Sequence, residues 1–104
     1  MAVRPPSFSQ STRIETGANI LDYEIQEERA HALTRAGRSV EAALARLNDP
    51  EAQAADGRDA LLKAAAYEVW KFFIQRESCG IRDHRPVIEH YGIPRAVIVR
   101  LGAR

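Results

Sequence analysis

At 104 residues, with 45% hydrophobic and 28% charged side chains, the chain has the size and composition of one globular domain, outside the disordered, fibrous and membrane classes. Fifteen Lys and Arg against fourteen Asp and Glu leave a net charge of +1, too little for a global field that gathers nucleic acid or an acidic membrane, although the basic character is concentrated in residues 71–104. A single cysteine excludes an internal disulfide, no apolar run approaches the ~18 residues of a membrane span, and no signal-peptide stretch follows Arg4, so the expected location is the cytoplasm.

Residues 1–17 carry Pro5, Pro6, three serines, two threonines and Gly17 with little apolar periodicity, and read as a flexible arm preceding a single helical domain over 18–104. Helix formers without Pro or Gly predict a first helix from Ala18 to Ala36, closed by Gly37 as a left-handed cap. Its apolar stripe is Leu21, Ile25, Ala32 and Ala36 with Leu33 alongside, interrupted by Glu28, which predicts a surface helix. Ser39 then serves as N-cap of a short helix in which Val40, Ala43, Leu44 and Leu47 keep the i, i+3, i+4, i+7 template, ended by Asn48-Asp49-Pro50.

A small-residue connector, partly helical, leads to the central helix over residues 58–78, stopped by Gly80. It is apolar around most of its circumference through Leu61, Leu62, Ala65, Ala66, Val69, Trp70, Phe72, Phe73 and Ile74. The last segment divides at Gly92 into two short helices. Asp83 is the N-cap of the first, Gly92 takes the positive φ of the turn, and Pro94 is the first residue of a helix ending at Leu101. Val97-Ile98-Val99 has strand character, but a lone strand without a partner leaves its backbone unpaired, which favours helix. The expected fold is all-α, a bundle of about five helices.

The pair over residues 84–101 has the spacing of a helix-turn-helix, with Val87, Tyr91, Ile93, Ile98 and Leu101 facing inward. Read as a DNA-binding unit, it presents Arg95 and Arg100 to base edges or phosphates, supported by Arg82, Arg85 and Arg104. Ile88, where such motifs need a small residue, and Val99, a poor base reader, argue against it. Any two helices joined through Gly-Ile-Pro give the same pattern.

Glu28 and His31 have Glu-x-x-His spacing, but a di-iron bundle needs a second such pair and two more glutamates, so a surface pair is the simpler reading. Cys79 has Arg76 and Arg82 near it, which favour reactivity, and a helix C-terminus, which opposes it; the default is a structural thiol, with a redox role as the weaker alternative. Cys79, His84 and His90 lack the spacing of a zinc site. No phosphate loop, nucleophile elbow or paired-carboxylate motif is present, so the reading assigns no catalytic residue, cofactor, metal or small-molecule substrate. Glu24, Glu27 and Glu28 form an acidic face suited to a basic partner, or to the basic third of another copy.

The stretch YEVWKFFIQRESCGIRDHRPVIEHYGIPRAVIVRLG, with Arg-Glu-x-Cys-Gly at Arg76–Gly80 and Tyr-Gly-Ile-Pro at Tyr91–Pro94, resembles a small family of alphaproteobacterial proteins of unknown function over roughly residues 20–103. The resemblance implies a bacterial cytoplasmic protein with an all-helical fold, and carries no activity or functional residue with it. The leading functional expectation is a non-enzymatic interaction protein, self-associating or binding another protein. DNA binding through residues 84–101 is the alternative.

Overall fold

The computed structural model describes the backbone from Pro6 to Gly102 and side chains from Gly17 to Gly102. The expected arm over residues 1–17 lies, apart from Gly17, outside the residues whose side chains are described. Five helices follow in order: α1 (Pro6–Leu47), α2 (Pro50–Asp56), α3 (Arg58–Ser78), α4 (Arg85–Tyr91) and α5 (Arg95–Ile98). The fold is all-α, with no strand among the described residues. Among the described residues no helix is long and apolar enough to cross a membrane. The chain divides into two units, Met1–His31 and Ala32–Arg104, the division falling within α1.

The largest departure from expectation is at Gly37, which does not end a helix: α1 continues through it to Leu47. A Cβ at this position would meet the Tyr91 hydroxyl at 2.6 Å, so the glycine serves close packing of α4 on α1 rather than a positive φ. Ser39 is correspondingly not an N-cap, and its hydroxyl donates to the Arg35 carbonyl one turn back. The two helices expected over residues 18–48 are one.

α1 ends where Asp49 caps α2, its carboxylate accepting from the Glu51 N–H at 3.3 Å with Pro50 opening the helix. Gln53 donates from Nε2 to the Leu47 carbonyl at 2.7 Å, satisfying one of the acceptors left open in the last turn of α1. Gly57, at φ 84° and ψ 150°, separates α2 from α3.

The second unit is built around α3. Leu61, Leu62, Ala65, Ala66, Val69, Phe72 and Phe73 are buried on it. They join Val40, Leu44 and Leu47 of α1, Ala52 of α2, and Ile93 and Val97 in one core. The helix is not buried on all sides, because Tyr67 and Ile74 are 53% and 47% exposed. At its end, Gly80 N–H donates to the Glu77 carbonyl and Ile81 N–H to the Arg76 carbonyl, the paired bonds of a Schellman closure, with Gly80 at φ 84°.

α4 and α5 form the expected pair with two corrections. His84 rather than Asp83 is the N-cap of α4, while Asp83 accepts the Arg85 N–H at 3.1 Å. Pro94 precedes α5, which is a single turn from Arg95 to Ile98. From there Arg100 and Leu101 continue in the tighter i→i+3 pattern instead of extending an α-helix to Leu101. A run of three β-branched residues and a glycine three positions past it supply little helix propensity to carry the turn further.

Candidate functional site

Of the five arginines with nucleic-acid potential, Arg104 lies outside the described residues, and the other four fall into two kinds. Arg85 is forked onto Asp83, with Nε to Oδ1 and Nη2 to Oδ2 both at 3.0 Å, and Arg100 reaches across to Asp59 on α3 at 2.7 Å. These two are held by intramolecular carboxylates. Arg82 and Arg95 are exposed. The fork matters electrostatically too: side-chain and backbone hydrogen bonds from Arg85 lower the Asp83 carboxyl to about 2. Val87, Tyr91, Ile98 and Leu101 pack partly buried against the core, so the inward face of the pair is as the spacing predicts. Val99 is 64% exposed beside it.

Cys79 is half-buried at the end of α3, and its N–H donates to the Arg76 carbonyl at 2.9 Å. The neighbouring His84 is engaged elsewhere. Its Nδ1 accepts from Arg76 Nε at 3.1 Å, which places the imidazole proton on Nε2, the atom that meets Glu77 Oε2 at 2.9 Å. The ring stacks on Phe73 with centroids 4.1 Å apart and planes 6° off parallel. Arg76 also donates to the Asp83 carbonyl at 2.7 Å. It is buried, and sits at helical spacing from Val69, Phe72 and Phe73, so its side chain emerges from the core-facing side of α3. This Arg76–His84–Glu77 chain ties the connection between α3 and α4. Sequence reasoning treated Arg76 and His84 only as possible neighbours of Cys79, although the spacing of Arg76 from Val69 already placed it on the apolar face. Among the described residues no group of three His, Cys, Asp or Glu is arranged to hold a metal ion.

The acidic face lies in a different setting. Every described residue from Gly17 to His31 is exposed, including Glu24, Glu27 and Glu28. So are four large apolar side chains of the same stretch: Ile20 at 55%, Leu21 at 61%, Tyr23 at 67% and Ile25 at 43%. The stripe expected to run from Leu21 to Ala36 is therefore split, since Leu33 and Ala36 pack against the core and Leu21 and Ile25 do not.

Within the second unit, α1 and α3 leave a groove between them that sequence reading did not foresee. Ser39, Ala42, Ala43, Leu61 and Ala64 line about 330 Å³ of it, and Ala36 and Gln75 border an adjoining hollow of about 280 Å³. Small side chains on facing helices leave this space unfilled. Charged residues stand along it: Arg46, which pairs with Asp56, Lys71, 3.1 Å from Glu68, and Arg35.

The chain belongs to a family described as a family of unknown function (DUF6665), whose sequence model matches residues 6–104. No curated protein and no solved structure matches it.

Proposed function

We propose that this member of a family of unknown function is a non-enzymatic protein-interaction module, and that its binding element is the exposed stretch Gly17–His31 of α1. One observation carries this reading: Ile20, Leu21, Tyr23 and Ile25 are all exposed on a single stretch of helix. Helicity propagated from a packed neighbour costs no new nucleation, but nothing in it offsets leaving four large apolar side chains in water. Exposed apolar surface bordered by charge is the usual mark of a protein-binding face, and Leu21 and Ile25, one turn apart, share a face here. The carboxylates of Asp22, Glu24, Glu27 and Glu28 rim it here and select for a basic surface opposite.

The test is site-specific photo-crosslinking in cells with a benzophenone amino acid at Tyr23, in the full chain. Light-dependent protein adducts are expected, and they should vanish when Leu21→Asp and Ile25→Asp are added. A chain that keeps its helical circular dichroism yet yields no adduct from position 23 would overturn the reading.

A further inference from the structure

We infer that the Arg76–His84–Glu77 chain is a proton-sensitive latch: a proton taken up by His84 releases the connection between α3 and α4, and with it the first turn of α4.

The latch is built for a neutral imidazole. Arg76 is a permanent cation that can only donate, and its Nε–H meets His84 Nδ1 at 3.1 Å, so that nitrogen has to keep its lone pair. The ring proton sits on Nε2, which donates to Glu77 Oε2 at 2.9 Å. A proton arriving on Nδ1 sets one N–H against another and brings a second positive charge onto the guanidinium. Arg76 is buried, so water is poorly placed to replace the acceptor it loses. The ring has little freedom to turn aside, because it lies flat on Phe73.

The charges around the ring do not cancel this loss. Glu77, also on α3, gains an ion pair when the ring is protonated, but its side chain is half-exposed and its bond to Nε2 already exists with the neutral ring. Protonation therefore adds only a solvent-screened increment there. Asp83, the preceding residue, has its carboxylate committed to the fork from Arg85 at the start of α4. Arg82, two positions before the ring, is a further cation.

His84 joins two elements at once. Its side chain is held by α3, while its backbone carbonyl accepts the Ile88 N–H at 3.0 Å, the first bond of α4. The Asp83 carbonyl beside it takes the second bond from Arg76. Detaching the ring thus loosens both ends of the connection, whereas Val87, Ile88 and Tyr91 still pack α4 on the core, so the opening is local.

The experiment is NMR on the full chain between about pH 8 and about pH 5, the range in which an imidazole takes up its proton. It follows the His84 ring Cε1–H together with hydrogen-exchange protection of the Ile81 and Ile88 amides, corrected for intrinsic exchange. Protection of both should fall ~tenfold or more in step with the ring, the loss expected of one buried hydrogen bond, while the Val69 amide within α3 keeps its protection. His84→Asn, which has no titrating ring, should show no such fall. Glu77→Gln and His90→Gln should each retain it, since neither removes the opposition between His84 and Arg76.

A His84 ring that titrates while Ile81 and Ile88 stay protected overturns the inference. So does a fall that survives in His84→Asn or disappears in His90→Gln. If His84→Asn does not fold, the wild-type and His90→Gln measurements decide between the same two outcomes.

Discussion

Asp83 shows how much a single exposed residue can be shaped by its immediate sequence. Two positions on, Arg85 supplies a backbone N–H and a forked guanidinium, and these bonds lower the carboxyl to about 2 against an ordinary value near ~3.9. Because the folded value is the depressed one, whatever the contact adds to stability is complete above about pH 4, and is lost as pH falls toward 2. The expected outcome of an NMR titration of the Asp83 side chain is a midpoint near 2 in the native protein. It should return toward ~3.9 in Arg85→Ala. An unshifted midpoint in wild type would mean that the fork does not persist in solution. The same fork leaves Arg85 satisfied within its own chain.

At the scale of elements, the junction of α1 with α4 carries the most information. Gly37 sits inside a helix, where glycine costs ~1 kcal/mol relative to alanine, and is buried under the Tyr91 hydroxyl. The Tyr91 ring meets Phe72 edge-on at 5.6 Å and so is held in place. Gly37→Ala should therefore destabilise, because overpacking of ~1–3 kcal/mol outweighs the gain in helix propensity. Removing the hydroxyl with Tyr91→Phe leaves the added methyl 3.5 Å from the ring carbon, an ordinary contact. In that background Gly37→Ala should stabilise by up to ~1 kcal/mol. Urea denaturation of the four proteins gives the cycle, and the same sign in both backgrounds would show that the hydroxyl does not set the residue choice.

For the whole molecule, the uneven charge along the chain is the feature with functional weight. The basic last third invites a nucleic-acid reading, but Arg100 is held by Asp59 and Arg85 by Asp83, and α5 is one turn long. A recognition helix needs more than one turn to set several side chains against base edges. Fluorescence anisotropy against random duplex DNA should accordingly show no salt-sensitive binding even at low ionic strength. Binding that weakens steeply with salt and is lost in Arg95→Ala would reverse that conclusion.

Local chemistry was legible in the sequence wherever neighbours along the chain decide the outcome. The extent of α3, the turns at Gly57, Gly80 and Gly92, the helical state of Val97-Ile98 and the inward face of the last pair all follow from periodicity, glycine conformations and caps. The acidic face at Glu24, Glu27 and Glu28 was legible for the same reason, as residues on one helix. What tertiary contact decides was not. Gly37 has the sequence signature of a helix stop and is a packing glycine instead, because Tyr91, distant along the chain, occupies its side-chain space. Arg76 is a charged residue on a buried face whose partners come from the loop before α4, and the groove between α1 and α3 exists only once two runs of small residues face each other. Sequence determines which face of a helix is apolar; only the packed chain decides which apolar faces are covered, since that depends on where residues far apart in sequence meet.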